Sequence, residues 1–317
     1  MPDWLQSVLQ PAGPQAERVH ALWRFMLAVS VVVYVLVVGA LLVATFRRRP
    51  ARADLAEGAP GERGVTRIVS LATAVTALTL FAFLVFDFST GRALTSTVKP
   101  SVAIEVTGHQ WWWEVEYEDP DPSKRLTTAN EIHVPVGEPV QLKLRSVDVN
   151  HSFWAPNLNG KKDLIPGYLS TLGFTADTAG VYRGQCAEFC GLQHAKMAFD
   201  VIAEPKATFQ AWLAAGAKSP PPPTDSTQLY GQRVFLASGC AVCHTIGGTP
   251  AQSFVGPPLT HLKSRRTIAA GTLANTKANL MGWITNPQAI KPGTRMPAVP
   301  LKGPQLAALV DYLETLK

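Results

Sequence analysis

The sequence is poor in cysteine. Four occur in 317 residues, and they fall in two tight pairs, Cys186 with Cys190 and Cys240 with Cys243. From residue 225 onward there is no cysteine beyond the second pair, and His261 is the only histidine besides His244, whereas a structural zinc site would want a second ligand pair nearby. Charge is missing from two stretches, 22 residues from Phe25 to Phe46 and 19 from Ile68 to Phe86. Each is long enough to cross a bilayer, and a pair of buried core helices is a weak alternative at these lengths. No secretory signal is expected, since 24 residues precede the first apolar run and no small-residue cleavage pattern follows it. Acids are scarce after residue 226, where Asp311 and Glu314 stand against nine lysines and arginines.

What is present at the second cysteine pair is Cys240-Ala-Val-Cys243-His244. At this spacing both thiols can add covalently to the vinyl groups of a haem while the adjacent imidazole ligates the iron. A disulfide, a zinc half-site or a redox dithiol are the alternatives, but a thioredoxin-like dithiol has no use for His244. A carrier of high potential needs a methionine as sixth ligand. Met281 lies in the apolar, helix-like run Asn279-Leu-Met-Gly-Trp-Ile-Thr285, where a core role is expected. Met296 lies in Lys291-Pro-Gly-Thr-Arg-Met-Pro297, a loop stiffened by prolines, and is the expected ligand. Pro304 opens a helix with Leu306, Leu309, Val310, Leu313 and Leu316 on one face. Residues 225–317 resemble a class I cytochrome c. Gly256-Pro257-Pro258-Leu259 also matches that family, and the resemblance implies that the Pro257 carbonyl orients His244.

The first pair sits in Cys186-Ala-Glu-Phe-Cys190-Gly-Leu-Gln-His194-Ala-Lys-Met197, and His151 in Asn150-His-Ser-Phe-Trp154 adds an imidazole from an earlier loop. Two thiolates, two imidazoles and a thioether form a copper set. A Cys186–Cys190 disulfide would leave His194 and Met197 unexplained, and zinc would not call for the methionine.

With Gly108-His-Gln-Trp-Trp-Trp113 in place before these motifs, the chain resembles, over essentially its whole length, subunit II of a haem-copper cytochrome c oxidase, in the caa-type form with a fused cytochrome c. The resemblance implies a two-helix transmembrane hairpin, then an all-β cupredoxin-like domain, then an all-α cytochrome c domain. It implies a dinuclear CuA centre bridged by Cys186 and Cys190, with His151 and His194 on one copper each and Met197 and the Glu188 carbonyl completing them. By the same resemblance the Glu188 side chain reaches a magnesium at the interface with subunit I, and Trp111 receives the electron. Trp112 and Trp113 are expected to be structural. The expected function is electron input to a membrane terminal oxidase, from haem c to CuA and on to subunit I, where oxygen reduction coupled to proton translocation takes place. Subunit III, the lipid bilayer and a donor such as a cytochrome c or a quinol–cytochrome c reductase are the expected partners, with no nucleic acid. A CuA-dependent nitric oxide reductase could use the same subunit, and a free-standing membrane electron shuttle is the alternative from another class. Seven histidines and two spans argue against nitrous oxide reductase.

The expected organisation is an extracytoplasmic segment 1–24, a hairpin 25–88 with connector 47–67, a CuA domain 89–216, a proline-rich linker 217–225 and a cytochrome domain 226–317. Arg47, Arg48, Arg49, Arg52, Arg63 and Arg67 place the connector in the cytoplasm of a bacterium, with both termini and the redox domains outside its inner membrane. Glu62 precedes the second run as a family proton-channel glutamate does. Val65 and Val69 stand where the family has tryptophan and proline, so Glu62 is read as a solvated interfacial charge. Alternation at Val102, Ile104 and Val106, at Ile132, Val134 and Val136, and at Val140, Leu142 and Leu144 predicts half-buried antiparallel strands, with a turn at Gly137-Glu-Pro139. The run Ser219-Pro-Pro-Pro-Pro223 predicts an extended tether that leaves the haem domain unfused. Glu105, Glu114, Glu116, Glu118, Asp119 and Asp121 surround Trp111 in sequence, so the cationic haem domain is expected to dock on that face.

Overall fold

The computed structural model describes residues 4–47, 61–94 and 99–317; Arg48, Arg49, Arg52 and the side chain of Glu62 lie outside the described residues. The chain packs as two units, one of residues 17–96 and one of residues 1–16 with 97–317. Two helices, α1 (Pro14–Phe46) and α2 (Gly61–Leu94), make up the first, and both run past the uncharged stretches. Their apolar side chains point outward on all sides, Leu36, Leu78 and Phe88 among them. A helix apolar all round suits lipid and not water. The two meet where Phe25 packs edge-on against Phe83 at 5.2 Å between ring centroids.

The second unit begins with β1 (Trp4–Leu5) and continues with β2 (Val102–His109), β3 (Trp112–Tyr117), β4 (Leu126–Ala129), β5 (Glu131–Pro135) and β6 (Val140–Ser146). Then come β7 (His151–Trp154), β8 (Lys162–Leu164), β9 (Ser170–Phe174), β10 (Gly180–Cys186) and β11 (Ala198–Glu204). One sheet has the order β4-β3-β2-β6-β9 and the other β5-β11-β10-β7-β8, with β1 added beside β10. Ile104, Val106, Leu142 and Leu144 from the first face Ile132, Val134, Phe153 and Phe199 from the second in one core, with Trp113 fully buried among them. This is a cupredoxin-like sandwich.

The alternating segments are strands, yet their pairing differs from the expected antiparallel arrangement. β6 lies parallel to β2, and β5 lies parallel to β11. The Gly137-Glu-Pro139 turn therefore carries the chain from one sheet to the other instead of closing a hairpin. Residues 4–12 also hold to the sandwich: Trp4 pairs with Val181 in β10, and the Ala12 amide donates to the Asn157 carbonyl at 2.7 Å.

After the sandwich, α3 (Lys206–Gly216) packs Trp212 against Tyr117 and stacks it on His133 at 3.9 Å. The cytochrome segment has α4 (Ser226–Ala237), a two-stranded turn β12 (Thr267–Ile268) with β13 (Leu273–Ala274), α5 (Lys277–Thr285), α6 (Pro287–Ile290) and α7 (Gly303–Leu313). Asp225 caps α4 by accepting from the Thr227 and Gln228 amides. Leu309, Val310, Leu313 and Leu316 are buried with Val234 and Phe235 of α4, while Leu306 is half-buried.

Candidate metal and haem centres

The first cysteine pair closes a ring of soft donors. Cys186 ends β10, Cys190 follows in the next loop, His194 opens a single 3-10 turn, and Met197 precedes β11. The two Sγ atoms are 3.7 Å apart, His151 Nδ1 lies 3.9 Å from Cys186 Sγ, and His194 Nδ1 and Met197 Sδ lie 3.6 and 3.8 Å from Cys190 Sγ. The Glu188 carbonyl is 3.2 Å from Cys186 Sγ, while its half-exposed carboxylate turns away toward Lys161 at 3.8 Å. A disulfide would need sulfurs near 2 Å, so the pair is free. Hydrogen bonding between the two sulfurs, against burial, pulls Cys186 well below the usual thiol range and pushes Cys190 up. Two buried thiolates can coexist only with compensating positive charge, and sulfur with imidazole Nδ1 and a thioether is the donor chemistry of copper. The residues fit that metal.

Sequence reading missed Asp148, although a carboxylate three residues before His151 was a usable signal. Its Oδ1 lies 2.9 Å from His151 Nε2, so the ring keeps Nδ1 toward sulfur. Burial works against the charge, but hydrogen bonds from His151 and from the Val149 and Gln110 amides hold Asp148 below its ordinary value. Behind the ring is Gly108, where a Cβ would lie 2.7 Å from His151 Cδ2. Trp111 is buried over the same loop, its Nε1 donating to the Cys190 carbonyl at 2.8 Å. Trp113 is core, and Trp112 stacks on His109 at 4.2 Å.

Cys240 of the second pair borders a largely apolar cavity, lined also by His244, Pro257, Leu259 and Met296. His244 Nδ1 lies 2.7 Å from the Pro257 carbonyl, and burial pushes the imidazole pKa down. A neutral ring donating through Nδ1 leaves Nε2 for iron. Gly256 backs this imidazole as Gly108 backs the other, with a Cβ position 2.7 Å from His244 Cε1. Met281 does not line the cavity; it packs in the core of α5. Arg265, also missed from sequence, is buried in the wall with its Nη2 on the Pro258 carbonyl at 2.5 Å and no partner for Nε. A buried guanidinium with an open donor beside an apolar cavity suits a haem, whose rim carries carboxylates. These residues fit that group.

The cytochrome segment is bonded to the sandwich near Trp111, as the docking expectation has it, but through other acids. Arg266 faces Asp200 at 3.6 Å and Arg295 faces Asp148 at 3.8 Å, while the Arg266 amide donates to Glu131 at 2.5 Å. The acids expected to dock are paired within the sandwich: Glu105 with Arg145, Glu116 with Arg125, Glu118 with Lys143 and Asp121 with Lys124. Bases of the sandwich itself pair with them before a partner can. The tether expectation is also revised, because His261 Nε2 lies 2.9 Å from the Gly216 carbonyl at the linker's start.

A cupredoxin-like sandwich with a Cys-His-Met cluster, joined to a helical segment with a Cys-X-X-Cys-His cavity, defines an electron-transfer protein of copper and haem. Residues 120–204 match the periplasmic domain of cytochrome c oxidase subunit II, and residues 229–317 match cytochrome c. The chain is 33% identical over 321 residues to cytochrome c oxidase subunit 2 of Alkalihalophilus pseudofirmus, spanning 98% of this chain and 91% of the relative. It is 28% identical over 330 residues to that of Bacillus subtilis, spanning 98% and 92%. Among solved structures, the periplasmic domain of subunit II of cytochrome oxidase of Bradyrhizobium japonicum is 29% identical with a TM-score of 0.36, covering 38% of this chain and 96% of that one. The chain belongs to the cytochrome c oxidase subunit 2 family, in the form with a C-terminal cytochrome c domain, and is thus a subunit of a haem-copper oxidoreductase.

Proposed function

We propose that this chain is the electron-input subunit of a membrane terminal oxidase, passing electrons from a covalent haem c to a dinuclear CuA centre and on to subunit I. The observation that carries the reading is the convergence of two cysteines, two imidazole Nδ1 atoms and a thioether at 3.6–3.9 Å, in the same compact unit as the Cys240–His244 cavity. Bound copper and haem both supply one-electron exchange without proton chemistry at the metal. The chain's own residues do the rest. Cys186 and Cys190 would bridge the copper ions, with His151, His194, Met197 and the Glu188 carbonyl completing the set. Asp148 fixes the His151 tautomer, and burial of the cluster excludes water. Cys240 and Cys243 would hold the haem, His244 and Met296 would supply its iron ligands, and the Arg265 guanidinium would offer a donor to its carboxylates. Trp111, bonded to the Cys190 carbonyl, offers the bridge between centres. The Glu188 carboxylate, turned outward, is available to a magnesium at the subunit I interface.

Oxygen reduction and proton translocation belong to subunit I, with subunit III as a further neighbour and a cytochrome c or a quinol–cytochrome c reductase as donor. The redox domains lie on the periplasmic side of the inner membrane, with two spans and a cytoplasmic connector. Attachment of residues 4–12 to the sandwich supports an N-terminus on that same side. Cys186→Ser in the purified complex tests the core of the reading: the mixed-valence copper signal should vanish while the haem c spectrum survives, because a hydroxyl cannot replace a bridging thiolate. Unchanged copper content and spectrum would refute it.

A further inference from the structure

Lys291 opens the loop that ends in Met296, and only 3% of it is exposed. Its Nζ donates to the carbonyls of Trp111 at 3.0 Å, Lys196 at 2.8 Å and Ala269 at 3.2 Å. All three hydrogens of the ammonium are thereby used, two on the sandwich and one on the cytochrome segment. Around this point the sandwich and the cytochrome segment are joined again. Gln193 Nε2 donates to the Pro292 carbonyl at 2.7 Å, Lys196 Nζ to the Ile290 carbonyl at 2.5 Å, and the Ala198 amide to the Ala270 carbonyl at 3.0 Å. Lys196 lies between His194 and Met197, and Trp111 touches Cys190, so the loop carrying Met296 rests on the loop carrying the copper donors.

We propose that Lys291 is a positioning residue that latches the Met296 loop onto the Trp111 and His194–Met197 face, docking the two redox centres in the resting fold. The latch rests on the haem-to-copper route proposed above and adds to it the residue that sets its geometry. A buried ammonium is tolerated only when its hydrogens are all bonded. Undocked, the head returns to water and three carbonyls return with it. Docked without the ammonium, the Ala269 carbonyl keeps its bond from the Thr272 hydroxyl at 2.7 Å, but those of Trp111 and Lys196 lose the Lys291 donor, which opposes the docked state. An ion pair such as Arg295 with Asp148 is weaker support, because the guanidinium is exposed and 3.8 Å from the carboxylate.

The test uses the purified oxidase complex with the full chain. In Lys291→Met, flash reduction of haem c should be followed by copper reduction slowed about tenfold or more, in proportion to the lost docked population. The Ala198 amide should lose hydrogen-exchange protection, while both metal spectra and the haem c potential stay at their unaltered values. Lys291→Arg, which keeps charge and donors, should recover most of the rate. Transfer in Lys291→Met as fast as in the unaltered complex, with Ala198 still protected, overturns the latch. Where the methionine variant fails to assemble, acetylation of the unaltered complex decides: Lys291 should resist reagent while exposed Lys302 reacts, and equal labelling overturns the proposal. Lack of haem-to-copper transfer in the unaltered complex would sink the route itself, and exchange and acetylation then still judge the latch separately.

Discussion

Gly108→Ala is expected to disturb the copper centre without touching a donor atom. The new Cβ would lie 2.7 Å from His151 Cδ2 and 3.1 Å from Cγ, against ordinary contacts that begin at 3.4 Å. The ring must therefore retreat by about 0.7 Å or the strand must bend. It has little room: His151 is fully buried, Trp113 stands edge-on at 5.9 Å, and Nε2 is tied to Asp148 at 2.9 Å. Overpacking of this kind costs about 1–3 kcal/mol. A displaced imidazole should weaken copper retention about 10–100-fold, as loss of an orienting partner does. The assay is copper content after dialysis against a graded chelator, with the paramagnetic spectrum and thermal midpoint of the same samples. Gly160→Ala, where a Cβ meets nothing within 4 Å, is the control and should match the unaltered protein. If Gly108→Ala keeps its copper, spectrum and midpoint, the account of His151 as a ring wedged between backbone and Asp148 is wrong.

Met296→Ala should abolish the sulfur-to-iron absorption band and lower the haem c potential with the haem still attached, whereas Met281→Ala, outside the cavity lining, should cost only about 1–2 kcal/mol of packing. Loss of the band in the Met281 variant alone would reverse the assignment. Glu131 gives a pH dependence: burial raises its carboxyl to about 7, against the Arg266 amide and Arg265. With the folded value above the ordinary 4.5, the protonated carboxyl contributes stability below about pH 4.5 that is lost as pH rises to about 7, by up to about 3 kcal/mol. Glu131→Gln mimics the protonated form, so its melting should be flatter between pH 5 and 8 and higher than the unaltered protein's at pH 8. Melting scans of both proteins across that range decide it, and a lower midpoint for the variant at pH 8 contradicts the assignment.

The donor sets were legible because their chemistry is written in neighbouring letters. Cys240, Cys243 and His244 lie within five residues, and Cys186 through Met197 within twelve, so spacing alone brings them together. His151 could be read as an imidazole but not placed, since strand β7 reaches the cluster through its pairing with β10. Sheet order was less legible. Alternation tells which face of a strand is buried and is silent about which neighbour it takes, so the parallel pairing of β2 with β6 could not be foreseen. The junction was hardest. Lys291 reads as one more surface cation, and only the fold shows it under three carbonyls. The acids near Trp111 in sequence were misleading because β6 sets Arg145 against Glu105 and Lys143 against Glu118.

The bond from His261 to the Gly216 carbonyl gives the linker a different meaning from that of a swinging arm. Residues 217–225 leave one bonded point and enter α4 at Ser226, so their slack is set by nine residues, at most about 28 Å when extended. A cytochrome that came loose would still face its own copper domain at an effective concentration on the order of millimolar. On the proposed haem-to-copper route, passage between the two centres would therefore be first order in this chain. Diluting the membrane, crowding it or changing the supply of donor would alter how often an electron arrives and leave untouched the time it spends crossing.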